Sequence, residues 1–413
     1  MTRSLAFTLS ALLCAAVLAA ANPCTAQSYT MTEVPISPTA INNNGQIGGQ
    51  GANGDPSILS SSGIQTDLGN FGSSCDVYGC RAYAINSLGD AVGLTGDGIT
   101  GGYKPYLFSN GTLTRLTPDN ANPLGINTAG AVVGYLENQD SSSDGFVIKN
   151  GTLTDLGSGH AGGINTSGQI AGDSVNPTNH VDEATVWQAD LTPTFLGVLG
   201  TGFESRAYAI NDAGQVTGNS YTGDAQNSLH AFLFSNGTMK DIDTLNSQAS
   251  WAFGINSNGV VVGQVANQPN SLAYHAFVFM GGSMMDLNTL IPAGSGLTLY
   301  QANGVNDSGE IVGFAESNSD GSVHGFLLKP VAPQITSISP VSGATGIVVT
   351  INGNHFTAKP KACTVTINGK VAKWTKWTNT QIQVTVPTGA TTGKVMVTAF
   401  FQHSNTKSFT VTP

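Results

Sequence analysis

Charged residues are scarce in this chain of 413 residues, where Asp, Glu, Lys and Arg together account for only 10%. Hydrophobic residues make up 40%, which is too many for an intrinsically disordered chain. With only 17 prolines, the chain also lacks the composition of collagen or of a proline-rich linker. Glycine is abundant, with 52 residues, and accompanies many turn-forming and β-branched residues. This composition predicts an all-β fold in a chain long enough for two domains.

Cysteine is also rare, and none of the five cysteines forms the C-x-x-C pair typical of a zinc site. The cysteines therefore argue against a zinc site. We assign no metal ligand and no cofactor, and calcium binding in acidic loops such as that of Asp182 and Glu183 stays open. Long apolar runs are missing after the N-terminal region, so no membrane insertion is expected. Residues 1–26 combine a basic start at Arg3, an apolar stretch over 5–21 and a small-x-small site at 24–26. This pattern predicts a signal peptide and a mature chain beginning near Gln27, secreted or held at a bacterial surface or in the periplasm.

Charge is distributed unevenly along the chain. Residues 27–330 contain 7 basic and all 25 acidic residues, a net charge of −18, whereas residues 331–413 contain 7 lysines and no acid. Such a step marks a domain boundary. The predicted organisation is a signal peptide (1–26), a first domain (27–329), a linker (330–333) and a second domain (334–413). Export and the acidic first domain argue against binding to nucleic acid.

One phrase of ten residues recurs seven times. The first asparagines of successive copies are 44, 41, 38, 46, 45 and 50 residues apart. This spacing is close to the 40–45-residue period of four-stranded propeller blades. The copies read AINNNGQIGG from Ala40, AINSLGDAVG from Ala84, GINTAGAVVG from Gly125, GINTSGQIAG from Gly163, AINDAGQVTG from Ala209, GINSNGVVVG from Gly254 and GVNDSGEIVG from Gly304.

The period that begins at Ala207 contains four predicted strands. A turn that begins at Asn211 joins the first two, and the hairpin signal Asn236-Gly237 joins the last two. These strands cover residues 207–210, 215–218, 230–234 and 238–242. We interpret the last glycine of each phrase as a position where neighbouring blades approach each other. Seven such units predict a seven-bladed β-propeller of four-stranded blades.

Three repeats carry a related tripeptide at the start of the third strand: His230-Ala-Phe232, His275-Ala-Phe277 and His324-Gly-Phe326. Together with the I-N-x-x-G-x-x-x-G phrase, this pattern resembles the bacterial extracellular HAF repeat family over residues 28–329. The resemblance implies a secreted, propeller-like protein and brings no established chemistry with it.

The second domain resembles an IPT/TIG domain, on the segments ITSISPVSG (335–343), VTING (349–353) and VTVP (384–387). The resemblance implies an immunoglobulin-like β-sandwich. Short alternating strands and the Asn368-Gly369 hairpin signal favour the same fold independently of the resemblance.

The three tripeptide histidines could in principle hold a metal ion or act as a general base. Other repeats place Lys104, Asp144 and Glu183 at the same phase, so we interpret the position as a hydrogen-bonded part of the strand. The sequence contains no G-x-S-x-G nucleophile turn and no H-E-x-x-H metal helix. Among the 25 acids no pair stands out as a glycosidase pair. We assign no catalytic residue.

Short turns are expected at one end of each blade and long, variable loops at the other, and variable loops on a rigid scaffold commonly carry function. The function expected is binding or adhesion by a monomer, with an extracellular polysaccharide or protein as ligand. Two alternatives remain: a glycoside hydrolase or lyase acting on the same face, and a purely structural surface or matrix repeat. Candidate ligand contacts in the loops are Asp97, Tyr103, Asp182, Tyr221, Asp224 and Tyr274.

Two further structural expectations concern the first domain. Cys75 and Cys80 lie in the loop between the first two repeats, where an oxidising compartment favours a disulfide worth roughly 2 kcal/mol. Cys363 would then stay a buried thiol in the sandwich. The segment 30–34 matches the fourth strand 238–242 class for class. We therefore expect residues 29–34 to supply the outer strand of the last blade.

Overall fold

The computed structural model describes residues 29–72, 79–97, 103–266, 274–356, 363–399 and 402–413. Within these residues nearly all regular structure is β, and the only helix is a single 3₁₀ turn, Leu287–Thr289. The predicted all-β class is confirmed. None of the described residues belongs to a helix that is long and apolar enough to span a membrane.

The strands up to residue 330 form antiparallel sheets in which each strand pairs with the next in the sequence. The exception is the first strand, β1 (Tyr29–Val34), which joins the last sheet of this region. The first two sheets consist of β2 (Ile36–Ile41), β3 (Ile47–Gly51), β4 (Pro56–Leu59) and β5 (Gln65–Asp67), and of β6 (Arg81–Ile85), β7 (Ala91–Gly96), β8 (Tyr103–Ser109) and β9 (Thr112–Arg115).

The third sheet has seven strands because one long strand, β13, is shared by two four-stranded units. Its first half pairs with β12 and its second half, from Gly159, pairs with β14. The strands are β10 (Ala121–Ile126), β11 (Val132–Glu137), β12 (Ser143–Lys149), β13 (Thr152–Ile164), β14 (Ile170–Val175), β15 (Asp182–Trp187) and β16 (Pro193–Phe195).

Two more four-stranded sheets follow the seven-stranded sheet. The last sheet of the region then includes β1 as its fourth strand. The first two consist of β17 (Ser205–Ile210), β18 (Val216–Tyr221), β19 (Leu229–Ser235) and β20 (Thr238–Asp241), and of β21 (Ser250–Ile255), β22 (Val261–Ala266), β23 (Tyr274–Met280) and β24 (Ser283–Asp286). The last contains β25 (Leu297–Val305), β26 (Ile311–Ser317) and β27 (Val323–Pro330), with β1 beside β27.

The expected contribution of residues 29–34 is confirmed. Strand β1 runs antiparallel to β27 in continuous register, from Tyr29 opposite Pro330 to Val34 opposite Gly325. Tyr29 is buried, and Nδ1 of His324 lies 3.0 Å from a carboxylate oxygen of Glu33. Residues 29–34, at the start of this region, thus complete the sheet formed by its last three strands, β25 to β27.

A β-bulge recurs at the same phase in the first strand of every unit, where one extra residue interrupts the pairing with the second strand. The bulged residues are Thr39, Tyr83, Leu124, Gly162, Tyr208, Phe253 and Asn303. A bulge bends its strand and re-aims the side chains that follow it.

The last glycine of each phrase faces this bulge, and our interpretation of that glycine was wrong. A Cβ on Gly218 would lie 1.9 Å from the carbonyl oxygen of Arg206, in the first strand of the same sheet. At Gly172 the same distance, to the carbonyl of His160, would be 1.8 Å. These glycines therefore permit close approach of two strands within one sheet, opposite the bulge, rather than approach of neighbouring blades.

The hydrophobic core lies between successive sheets. The aromatic residue of the third strand is fully buried at Tyr106, Phe146, Phe232 and Phe277, and Phe326 repeats it in the last sheet. One such cluster joins Ala171 and Val186 of one sheet to Ala207 and Val216 of the next. Burying a side chain of phenylalanine size contributes about 2–3 kcal/mol, which explains why this position recurs along the chain.

The C-terminal region forms its own β-structure around a separate core. That core includes Phe356, Trp377 and Phe409, and it contains the thiol of Cys363. The strands are β28 (Gln334–Ser339), β29 (Ser342–Gly343), β30 (Val348–Asn354), β31 (Thr364–Ile367), β32 (Lys370–Trp377), β33 (Gln381–Thr385), β34 (Gly393–Ala399), β35 (Gln402–His403) and β36 (Lys407–Val411).

Candidate binding face

The short turns at one end of the sheets are closed by a repeated set of hydrogen bonds. In the turn after β17, the Gly214 amide donates to the Asn211 carbonyl at 3.0 Å, and the Asn211 side chain accepts from the amides of Ala213 and Gln215. Gly214 has a φ of 72°, which explains the glycine at this place in the phrase.

The same asparagines form a closed cycle. Each Nδ2 donates to the backbone carbonyl of the corresponding asparagine in the next repeat, at 2.8–3.2 Å, and the last repeat donates to the first. The cycle runs through Asn42, Asn86, Asn127, Asn165, Asn211, Asn256 and Asn306. All seven side chains are buried. This end of the molecule is occupied by structural hydrogen bonds.

The opposite end, where the loops between second and third strands lie, carries pairs of aromatic rings. Tyr221 stacks on Phe203 with ring centroids 4.3 Å apart, and Tyr300 stacks on Phe314 at 6.2 Å. Edge contacts join Trp251 to Tyr274 at 5.7 Å and Tyr135 to His160 at 4.8 Å. The bulged Tyr208 and Phe253 lie 5.9 Å apart on adjacent first strands. We call this end the aromatic face.

Two of the grooves on the aromatic face are lined by aromatic rings. The first has a volume of about 380 Å³ and is lined by Glu204, Arg206, Tyr208, Asn219, Tyr221 and Trp251. The second has a volume of about 600 Å³ and is lined by Tyr274, His275, Thr298, Tyr300, Glu316 and Asn318. Because Trp251 of the first groove contacts Tyr274 of the second, the two grooves are neighbours on one surface.

Charged groups of both signs border the first groove. The Arg206 guanidinium lies 2.8 Å from Glu204. Outside the groove lining, Nδ1 of His160 lies 3.1 Å from the buried carboxylate of Asp173. Burial lowers the pKa of Arg206, but the charges of Asp173 and Glu204 outweigh it and hold that pKa above its ordinary value. The groove therefore offers a fixed cation beside aromatic rings.

Two tyrosines of the face, Tyr208 and Tyr300, stay protonated at neutral pH. Burial raises the pKa of Tyr208, with Arg206 opposing and Asp173 adding to the shift. Burial also raises the pKa of Tyr300, and the charge of Glu316 acts in the same direction. Both hydroxyls are thus available as hydrogen-bond donors as well as acceptors.

Of the predicted ligand contacts, two lie in the grooves. Tyr221 lines the first and Tyr274 lines the second. Asp182 is exposed at the beginning of β15, outside both grooves. Asp224 is exposed and lines a further cavity of about 410 Å³ with His230 and Gln248. It also caps its own loop, since it accepts hydrogen bonds from the amide and the hydroxyl of Ser228 at 2.8 and 2.7 Å. These bonds hold the pKa of Asp224 below its ordinary value.

The other two predicted contacts lie elsewhere. Asp97 was expected on the acidic surface, but it is only 1% exposed and lies 3.6 Å from the guanidinium of Arg115. A carboxylate buried beside a cation is held inside the protein rather than presented to a ligand. Tyr103 is 39% exposed, and its ring packs over Gly79, where a Cβ would lie 2.0 Å from the ring.

The groove residues that belong to first strands, above all Arg206, Tyr208, Trp251 and Tyr300, are not among the predicted ligand contacts. The predicted contacts all come from the loops. A usable signal was present, because Tyr83, Tyr208 and Phe253 place an aromatic ring at one phase of three repeats.

The tripeptide histidines share one structural arrangement. Nδ1 of His230 lies 2.7 Å from Asp241, and Nδ1 of His275 lies 2.6 Å from Asp286, in each case a carboxylate on the fourth strand. The interpretation of the tripeptide histidine as a hydrogen-bonded part of the strand is confirmed. Among the described residues, no group of three or more His, Cys, Asp or Glu side chains could hold a metal ion.

The predicted disulfide involves a residue outside the described part of the chain. Cys80 is fully buried and disulfide-bonded. Cys75 lies outside the described residues, so the Cys75–Cys80 pairing stays a prediction.

Residues 149–366, more than half of the chain, match a family model described as a protein of unknown function (DUF3466). The chain belongs to this family. Residues 333–412 of this DUF3466 protein match the IPT/TIG domain. No curated protein matches its sequence.

Solved structures similar to the DUF3466 protein share little sequence with it. A fungal alcohol oxidase of the AA5 family, in complex with copper, is 14% identical, with a TM-score of 0.43, over 93% of this chain and 98% of that chain. The β-propeller domain of the Trilobed protease from Pyrococcus furiosus is 11% identical, with a TM-score of 0.40, over 72% of this chain and 95% of that chain. Because both TM-scores are below 0.5, the fold rests on the strand pairing described above.

Proposed function

We propose that this protein is a secreted, seven-bladed propeller of HAF-type repeats that binds extracellular carbohydrate through its aromatic face. The cycle of seven asparagines supports the blade number, since each four-stranded unit contributes one member and the last bonds to the first. The observation that carries the function is the contact between Trp251 and Tyr274, which joins two grooves into one extended aromatic surface.

Carbohydrate suits this surface chemically. A sugar ring has apolar C–H faces that pack on flat aromatic side chains, and hydroxyls that need polar partners at fixed positions. The first groove supplies Tyr221 and Trp251 for packing, and Arg206 and Asn219 for hydrogen bonding. The second groove repeats this combination with Tyr300 and Glu316. Two adjacent grooves fit several consecutive sugar units better than a single small molecule.

The test is a panel of neutral and acidic polysaccharides presented to the mature full-length protein, followed by calorimetric titration of any that bind. We expect Trp251→Ala to weaken binding by about 1–2 kcal/mol, roughly five- to thirty-fold, because one ring of the stacking surface is lost. The control is Tyr103→Ala, which removes another exposed aromatic side chain away from both grooves. Equal losses in the two variants would contradict the proposed site.

Product analysis of the same panel, together with a protein array, separates the alternatives. Release of reducing ends or of unsaturated products would identify a glycoside hydrolase or lyase instead of a binding protein. Retention on a protein array, without retention on glycans, would assign the face to a protein ligand. Retention on neither would leave a structural surface or matrix repeat.

Export and domain organisation belong to the same proposal. We expect the protein recovered from outside the bacterial cytoplasm to begin near Gln27 and to migrate as a monomer, with the domain boundary at residues 330–333. Sequencing of the mature N-terminus by mass spectrometry checks the first point. A full-length chain that starts at Met1 and stays in the cytoplasm would contradict it.

A further inference from the structure

The C-terminal domain has an unusual balance of charge. Residues 331–413 contain seven lysines and no acidic side chain. Every ion pair found among the described residues involves positions up to Lys329. The lysines described in the domain therefore have no acidic side chain of their own domain to neutralise them.

Two of these lysines, Lys373 and Lys376, are exposed on strand β32. The pairing of β32 with β33, and of β33 with β30, places them on one face with polar side chains. Residues opposite each other in adjacent strands share a face of the sheet. The rows across these strands are Lys373–Thr385–Val348 and Lys376–Gln383–Thr350. We call this surface the lysine face.

A third row on the lysine face is held by hydrogen bonds between side chains. Lys376 donates from Nζ to Oε1 of Gln381 at 3.0 Å, and Nε2 of Gln381 donates to Asn352 at 3.0 Å. Asn352 in turn donates from Nδ2 to the Ser337 hydroxyl at 3.2 Å. These bonds cross four strands, from β32 to β28, and fix the orientation of both amides before any ligand arrives.

We propose that the lysine face is a second binding site, for an anionic polysaccharide of the uronic-acid type. Ammonium groups at fixed spacing pair with the carboxylates of such a polymer, and the amides and hydroxyls between them match its sugar hydroxyls. None of the side chains in the three rows is aromatic. The exposed Trp374 of the same strand lies opposite the buried Val384, on the other face of the sheet, so the lysine face itself lacks a platform on which a nucleic-acid base could stack. The charge of the acidic domain is screened beyond about 8 Å at physiological salt.

The test uses the mature full-length protein with sodium alginate, and with neutral dextran of similar length. We expect alginate to bind, with an affinity that falls as sodium chloride is raised, and dextran not to bind at this face. The double variant Lys373→Gln/Lys376→Gln should bind alginate at least tenfold more weakly. Duplex DNA in the same assay should bind more weakly than alginate at equal charge concentration.

The matched control is Lys394→Gln, which removes an exposed lysine from β34 of the same domain. This variant should keep most of the alginate affinity. An equal loss in the control, or stronger binding of DNA than of alginate, would show charge attraction without a site and would overturn the proposal, as would no binding of alginate at all. Trp251→Ala leaves this site intact, so failure here is distinguishable from failure of the aromatic face.

Discussion

At the scale of single residues, the asparagine of each repeat performs two tasks. Its side-chain oxygen accepts the amides of its own turn, and its side-chain nitrogen donates to the next repeat. Turn chemistry alone explains the first task and made the hairpin predictable from sequence. The second task depends on the repeats being arranged in a ring, so no local pattern in the sequence reveals it.

Asn256 and Asn258 provide a matched test of the cycle, because both lie in the same turn. Asn256 is buried and makes three such bonds, whereas Asn258 is exposed and its side chain donates one bond of 3.3 Å. We expect Asn256→Ala to lower the free energy of unfolding by about 2–4 kcal/mol, since it leaves buried backbone groups unpaired. Asn258→Ala should cost less than about 0.5 kcal/mol. Urea unfolding compares the two, and similar losses would contradict the structural role of the cycle.

The pair of His275 and Asp286 predicts a pH dependence of stability. The hydrogen bond between His275 and Asp286 raises the pKa of His275, and burial of the ring opposes this shift only in part. A raised folded-state pKa contributes stability that is fully present below the unfolded value of about 6.5, and the contribution is lost as pH rises through the folded value. We therefore expect His275→Asn to cost more stability at pH 6 than at pH 9.

Urea unfolding at both pH values measures this difference. The control is His403→Asn in the C-terminal domain, where the ring contacts the Thr398 hydroxyl instead of a carboxylate. A cost of His275→Asn that is the same at pH 6 and pH 9 would contradict the prediction.

At the scale of strands, sequence patterns predicted pairing well and side-chain direction poorly. Asn-Gly and Asn-x-x-Gly turns are local signals, so the hairpin from β19 to β20 could be located in advance. The bulge at Tyr208 breaks the two-residue alternation within β17. The predicted first strand, 207–210, leaves out Arg206 and treats Tyr208 as part of an apolar strand, whereas both residues line the first groove. The grooves themselves form between sheets, beyond the reach of local patterns.

The pairing of β1 with β27 gives a prediction at this scale. Without β1, the β27 side of its sheet would be an open edge, and open edges pair with other chains. We expect a chain that begins at Ile36 to melt at a lower temperature than the mature protein and to form oligomers. A chain that begins at Tyr29 retains the strand and serves as the control. Light scattering and thermal melts of the three chains decide the point, and identical behaviour of all three would contradict the role of β1.

At the scale of the whole molecule, charge separates the two parts of the chain. Residues 27–330 carry a net charge of −18, and self-repulsion of that size destabilises a compact state. We expect the melting temperature of this region to rise by a few degrees as sodium chloride increases from about 10 to 300 mM, because salt screens the repulsion. Tetramethylammonium chloride should act equally well if screening is the cause. A response to sodium alone would instead indicate specific ion binding.

The strand that closes the ring also sets an order of events. Thr30 and Lys329 face each other in the finished sheet but are separated by 299 positions in the chain. Residues 29–34 leave the ribosome long before their partner strand exists, so their edge must wait while every other sheet can already form from neighbouring segments. We therefore expect the pairing of β1 with β27 to be the last step in folding, because it needs both ends of the region, whereas the other sheets need only neighbouring segments.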